Sequence, residues 1–483
     1  MSSSVPSGHV GNLSAEQEAK LRELWQTMFN LYDILKDWDH TKIETPAAAP
    51  KAETSKKSRW FGGRKEAEAP KTTSILPEAA LKLINAGEAD KFGLVKEFEQ
   101  AIAAQTPESL RAMVLATLKN EHPDALALRF LRARKWDVKR ALVMMFTSMN
   151  WRQNISNIET EIMAHGEEFL VQDEQNGDDK SKTMARDFMK QIRDGKSFIH
   201  GTDRENRPIS YVRVRLHRAA EQSPESVERY TTYIIETARL TLAPGVETAT
   251  LIFDLSNFTL ANMDYTPVKF IIKCFEANYP ESLGAILIHN SPWVFKPCWK
   301  IISAWLDPVV AAKVHLTYGR EGLEEFIHPS QIIKELGGDE DFEYKYEEPV
   351  PGENDVMKDT AAREALQRTR QELANEFERL TAQWIADPES ASGKEAKANR
   401  EVVAGRLREN YWQLDKYIRA RSLYDRQGSI QPGVGALWYP ESATEKLPGS
   451  GARLSDGSIE VIDDMSKGVG AIQITNSLPG IAA

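Results

Sequence analysis

ESLGAILIHNSPWVFKPCWKIISAWLDPVVAAK, residues 281–313, decides how this chain folds, because it sets a strand, a turn and an amphipathic helix in immediate succession. AILIH, from Ala285 to His289, is a continuous apolar run of the length that a strand buried on both faces requires. Asn290, Ser291 and Pro292 then stop it with turn chemistry. Beyond the turn, Phe295, Trp299, Ile302, Trp305 and Leu306 recur at helical spacing, so one face of the next helix is apolar and rich in aromatic rings. Such a stripe is either ordinary core or the underside of a movable lid that covers an apolar ligand. Pro292 before it and Pro308 after it interrupt regular helix, which is where a few dihedrals could absorb a swing.

Outward from this stretch, strands and helices alternate. Residues 196–200 and 209–214 read as strands joined through the turn residues Asp203, Asn206 and Pro208. A helix over 225–242, a strand over 250–255, a helix over 266–277, the strand over 284–289, the aromatic helix and a last strand over 313–318 follow. Strands separated by helices of this length predict an α/β fold with a largely parallel sheet and right-handed crossovers. Upstream, residues 76–151 read as a run of helices, and residues 15–37 form one more, whose face of Leu21, Leu24, Trp25, Met28, Leu31 and Ile34 needs a partner. Downstream, residues 360–386 and 396–426 read as an antiparallel helical hairpin carrying a stripe of Leu366, Leu373, Phe377, Leu380 and Trp384. The expected division is a helix and linker over 1–75, a helical subdomain over 76–155, an α/β domain over 156–348, the hairpin over 349–426 and a disordered Gly- and Ser-rich tail over 427–483.

Composition narrows the function. The 483 residues are 41% hydrophobic and 27% charged with a net charge of −10, an ordinary globular balance whose acidity argues against a nucleic-acid partner. The mean hydropathy of −0.46 suggests polar segments diluting a normal centre. Residues 1–14 lack the apolar core of a signal peptide, and no apolar run nears the roughly 18 residues that span a bilayer, so a cytoplasmic protein is expected. Cys274 and Cys298, the two cysteines, make neither a disulfide framework nor a zinc site, and no metal is expected. Residues 41–74 are too polar to order themselves, yet they contain KKSRWFGGRK, in which Lys56, Lys57, Arg59, Arg64 and Lys65 flank Trp60 and Phe61. That segment is a solvated linker, a patch for an anionic membrane surface or a nuclear address.

A family resemblance joins these elements. LRFLRARKW (Leu128 to Trp136), followed by a helix ending in NWR (Asn150 to Arg152), resembles the N-terminal helical half of the CRAL-TRIO superfamily. DRENRP from Asp203, IFDL from Ile252, NYPE from Asn278 and WLDPV from Trp305 resemble its lipid-binding half in matching order, so the similarity runs from about residue 95 to about 340. Within it the chain looks like the fungal phosphatidylinositol transfer proteins of the longer CSR type, which share the segment from Asp254 to Tyr265 and the helical extensions. The resemblance implies a sheet flooring an apolar cavity, with the helix of Phe295, Trp299, Ile302, Trp305 and Leu306 as its gate. It also implies an inositol-phosphate site in which Glu281 accepts inositol hydroxyls while Lys313 and Arg134 neutralise phosphate. Val310 replaces a hydroxyl residue of that site. The implied ligand is phosphatidylinositol, with no further cofactor; the implied partners are transiently contacted membranes, of endosome, Golgi or endoplasmic reticulum, and lipid kinases that receive the lipid. The family's phosphatidylcholine site is poorly kept: near Ile199 and Ser210 there is no aromatic ring, and only Thr259 retains a hydroxyl, so weak or no phosphatidylcholine exchange is expected.

The physics of transfer agrees. A two-chain phospholipid has on the order of 30 methylenes at about 0.8 kcal/mol each, so a carrier must replace the bilayer with a dry cavity. Catalysis is not expected, because Asp254, His289 and Ser291 have the residue types of a hydrolase triad without a nucleophile elbow. His200 and His289 are haem-ligand candidates by residue type alone. Two non-enzyme readings stay open: a lipid carrier or presenter, and an adaptor that recruits proteins through its helical extensions, with a sterol-like or other neutral lipid as an alternative cargo.

Overall fold

The computed structural model describes residues 5–38, 76–84, 94–103, 105–439, 452–455 and 458–461. The basic and aromatic segment from Lys56 to Lys65 lies outside them. The chain divides into two units, residues 1–437 and 438–483.

The first unit begins with a helical half. Helix α1 (Ala15–Lys36) starts at a capping box in which Ser14 and Gln17 satisfy each other's backbone N–H groups. Helices α2 (Glu78–Ile84), α3 (Leu94–Ala103), α4 (Pro107–Leu118), α5 (Pro123–Ala133) and α6 (Val138–Asn150) follow. The apolar face of α1 finds its partner here: Leu21, Leu24, Met28 and Leu31 share one buried core with residues of α3 to α6. Helix α6 does not run straight on to Arg152 as its sequence suggests; a π-helical turn, Trp151–Ile155, takes over and turns Arg152 inward. Two further helices, α7 (Ala164–Asn176) and α8 (Asp179–Arg193), lead into the sheet.

Strands β1 (Ser197–Thr202), β2 (Pro208–Arg213), β3 (Ala249–Asp254), β4 (Leu283–His289) and β5 (Val314–Thr317) lie in sequence order across one sheet. Only the hairpin β1–β2 is antiparallel. Strands laid down in one direction with right-handed crossovers place their connecting helices on a single face. Those connections are α9 (Pro224–Leu240), α10 (Tyr265–Lys273), and α11 (Lys296–Ser303) with α12 (Pro308–Ala311). The strand period of two then sorts the side chains. Ser210, Leu251, Ile286 and Val314 form one row toward the crossover helices, with Val212, Phe253 and Ile288 in the next. Tyr211, Ile252 and Leu287 point the other way, onto Leu323 of α13 (Gly319–Glu324) and onto Ile332 and Ile333.

Helices α14 (Thr360–Ala386) and α15 (Ala391–Ile418) form the C-terminal hairpin. Helix α15 begins five residues earlier than its sequence suggests, because Ser390 caps it and Gly393 sits where a Cβ would lie 1.9 Å from the Asp387 carbonyl. The expected disorder from residue 427 does not hold over 427–439. Helix α16 (Leu423–Arg426) leads into a two-strand ladder of β6 (Ile430–Gln431) and β7 (Gly435–Ala436), with Ile430 buried. Gly435, at φ 101°, lies against Leu242 and Ala243 where no side chain fits. In the second unit, β8 (Ala452–Ser455) and β9 (Ser458–Val461) pair as an antiparallel hairpin.

Candidate functional site

Between the sheet and its crossover helices lies a cavity of about 1770 Å³ of empty space, counted to its mouth. Its floor is the alternating row of β2 to β5, and its walls are Ile234 and Ala238 of α9 with Val268 and Ile272 of α10.

Phe295, Trp299, Ile302 and Leu306 close the cavity from the α11 side, so the aromatic stripe faces a void rather than packed core. Phe295 is seated edge-on against Phe258, ring centroids 5.4 Å apart. Trp305 departs from the sequence expectation. Helix α11 ends at Ser303, the periodicity fails beyond it, and the Trp305 ring stands edge-on to Tyr265 at 5.4 Å with the Lys269 ammonium 4.8 Å above it. Pro292 precedes a 3-10 turn, Trp293–Phe295, and Pro308 opens α12 behind the cap Asp307, so both prolines stand where the helix is broken. The backbone N–H of Asp307 donates to Glu276 at 2.6 Å, tying the far end of the gate to the end of the preceding crossover.

None of the three head-group candidates lines the cavity. Lys313 Nζ donates to the Leu283 carbonyl at 2.7 Å, two residues beyond Glu281 at the start of β4. Glu281 holds φ at 55°, an uncommon conformation for a residue with a Cβ. Arg134, half-buried after α5, donates to its neighbouring Ala133 carbonyl at 3.3 Å. Burial lowers its pKa from the ordinary arginine value, and the Asp307 carboxylate offsets part of that. Ser282, Val314 and Leu306, the chain neighbours of Glu281, Lys313 and Asp307, do line the cavity.

The remaining candidates resolve separately. Ser210 faces the cavity, whereas the Ile199 N–H donates to Tyr424 on another side and the Thr259 hydroxyl is engaged by Asn262. His200 is paired with Glu340 and stacked on Phe342, centroids 3.6 Å apart. The three hydrolase-type residues form no relay: Asp254 is bound by Arg215, His289 by Thr317, and Ser291 by Tyr318. Among the described residues His122, Asp124 and Glu401 have metal-donor spacing, but the Arg400 guanidinium sits on Asp124 at 2.6 Å and supplies the positive charge there.

Among the described residues no helix is long and apolar enough to cross a membrane. The profile of the CRAL/TRIO domain matches residues 192–338, and that of the CRAL/TRIO N-terminal domain matches residues 94–145. Similarity to curated proteins reaches further. The chain is 38% identical over 430 residues to a CRAL-TRIO domain-containing protein of Schizosaccharomyces pombe, covering 88% of this chain and 93% of that one. It is 37% identical over 456 residues to the phosphatidylinositol transfer protein CSR1 of Eremothecium gossypii, covering 89% of this chain and 100% of that protein. A third relative, the phosphatidylinositol transfer protein PDR17 of Saccharomyces cerevisiae, is 26% identical over 283 residues, covering 55% and 75% of the two chains. The sheet with its one-sided crossovers, the apolar cavity and these matches agree: the chain belongs to the CRAL-TRIO family.

Proposed function

We propose that this protein is a phosphatidylinositol carrier, which holds one lipid with its acyl chains in the cavity and its head at Glu281, Lys313 and Arg134, and exchanges it at membranes or hands it to a lipid kinase. The single observation that carries this reading is the apolar cavity beneath a helix whose aromatic face closes it. The names of two relatives, both phosphatidylinositol transfer proteins, support it. Among the described residues neither Lys313 nor Arg134 has a carboxylate in ion-pairing range, so both are available to a phosphate, and the left-handed turn aims Glu281 from a position the backbone adopts at a cost. Lipid extraction and mass spectrometry of the purified protein test it. Wild type is expected to carry phosphatidylinositol, and the Glu281→Ala, Lys313→Ala double variant to lose it by at least about tenfold, as two charge-assisted contacts of about 1.5–3 kcal/mol each disappear. A different lipid retained equally by both proteins would refute the head-group assignment, and no lipid in either would refute the carrier.

Exchange requires contact with a bilayer, and the outer side of the gate is suited to it. Trp293 is 81% exposed at the start of the gate, and Ile301, Val309 and Tyr318 are exposed nearby in sequence or fold. Tyr318 is fixed to the gate's entry by a 2.8 Å hydrogen bond with Ser291. Trp293→Ala is expected to slow phosphatidylinositol transfer between vesicles about tenfold or more, since an aromatic side chain is worth about 1.5–3 kcal/mol when withdrawn from water. Unchanged transfer would place the membrane-facing surface elsewhere.

A further inference from the structure

The cavity has a second polar end. Lys196, immediately before β1, lines the cavity and is 7% exposed. Its Nζ donates to the side-chain carbonyl oxygens of Gln191, at 3.2 Å, and of Gln222. Among the described residues no carboxylate lies in ion-pairing range of it. The nearest acids are committed: Asp194 and Glu221 flank Lys190 at 2.6 and 3.6 Å. Arg213, also on the lining, is held by Glu335. Burial lowers the pKa of His217 beside it, with Lys196 adding to the effect, so the imidazole is not a second cation at neutral pH. Burial likewise brings the Lys196 ammonium down to about 8, which leaves it charged at pH 7.

A buried ammonium whose direct partners are neutral oxygens, with Asp194 and Glu221 acting on it only from beyond ion-pairing range, is expensive unless an anion completes its shell. The head-group site already described does not supply that anion. Lys196 lies beside β1 and the C-terminal end of β2, because Ser197 pairs with Val212, whereas Lys313 precedes the N-terminal end of β5. Four strand spacings of about 4.8 Å separate those edges. Between them the floor is apolar: Val212, Phe253 and Ile288.

We propose that Lys196 anchors a second lipid subsite, which takes the carboxylate of a long-chain fatty acid whose hydrocarbon lies along this floor. The proposal rests on the cavity's holding lipid, as the carrier reading requires. One cation, with the Ser210 hydroxyl facing the same cavity, matches two carboxylate oxygens better than the three of a phosphate monoester. A choline head would instead meet a like charge at this end.

The test is fluorescence titration of the full-length protein with a polyene fatty acid, parinaric acid, and with its methyl ester, which has the same chain and no charge. Wild type is expected to bind the acid about tenfold or more tightly than the ester. Lys196→Met is expected to abolish that preference while still binding the ester and co-purifying with phosphatidylinositol as wild type does, and Lys196→Arg to keep the preference. Equal binding of acid and ester by wild type, or a preference that survives in Lys196→Met, overturns the subsite and leaves the carrier standing. Binding of neither ligand overturns the subsite and removes the support the cavity gives to the carrier as well.

Discussion

A chain ending at residue 345 is expected to aggregate rather than to survive as a lipid carrier stripped of an accessory arm. The stripe of α14 is not a free docking face. Leu373, Phe377, Leu380 and Trp384 are buried in the same core as Leu24, Met28 and Leu128 of the helical half, and Trp25 lies 5.7 Å from Phe377. Fully buried side chains of this size contribute about 1.5–3 kcal/mol each, so losing this handful already approaches the roughly 5–15 kcal/mol by which a folded protein exceeds its unfolded state.

The polar consequences compound the loss. Arg400 bonds Asp124 at 2.6 Å, and Arg370 donates to the Leu407 and Lys119 carbonyls at 2.9 and 2.7 Å. Glu167, fully buried in α7, accepts from Tyr233, Tyr346, Arg426 and the Leu423 N–H; truncation leaves it Tyr233 alone. A buried carboxylate stripped of its donors bears its full desolvation cost. Expression of residues 1–345 followed by size-exclusion chromatography checks this. A monodisperse product that still carries lipid would sink the structural role and restore the adaptor reading of the hairpin.

Why some of this was legible and some was not follows from the range of the forces involved. The strand at Ala285 to His289 and the turn at Asn290 to Pro292 are written in local chemistry, and the parallel sheet followed from alternation alone. Periodicity misled at Trp305, since Ala304, Trp305 and Leu306 are all compatible with helix and nothing local marks the stop at Ser303. Helix α8 is readable in its stripe of Ala185, Phe188, Met189 and Ile192, all buried, but charged residues crowd around it and mask the apolar period. Helix α7 has no such stripe and bends at Gly166, whose φ is 59°. The head-group assignment rests on family resemblance alone, since no local pattern singles out Glu281, Lys313 or Arg134. Lys196 was read as the first residue of a strand, and its burial depends on Gln222, distant in sequence, which no local pattern announces. The hairpin stripe was visible as a stripe, while one of its partners, α1, is more than three hundred residues away and the helices behind it more than two hundred.

Glu236→Gln is expected to destabilise the protein by about 3–5 kcal/mol, because it removes the one anion shared by three buried cations. Glu236 lies on α9 at 0% exposure and receives Arg152 at 2.6 Å, Tyr279 at 2.7 Å, Arg239 at 3.3 Å and Lys119. Lys119 follows α4 and Arg152 follows α6, so this carboxylate pins the helical half to the lipid-binding half. The three cations are not equally exposed to its loss. Arg152 retains Glu159 and Arg239 retains Glu121 at 2.8 Å, whereas Lys119 has no other carboxylate in range among the described residues. Adding Lys119→Met to Glu236→Gln should therefore recover much of the stability, an interaction that a double-mutant cycle in urea isolates. The pH dependence has a definite sign. Burial opposes ionisation of Glu236, and Arg152, Lys119 and Arg239 overcome that, holding its carboxyl well below the usual range. Its contribution is present above the ordinary glutamate pKa, about 4.3, and fades as pH falls below that value toward the folded one. The wild-type advantage over Glu236→Gln should thus be constant near neutrality and shrink in acid. An unchanged urea midpoint in Glu236→Gln, or no rescue by Lys119→Met, would show that the two halves are held together without this ion cluster.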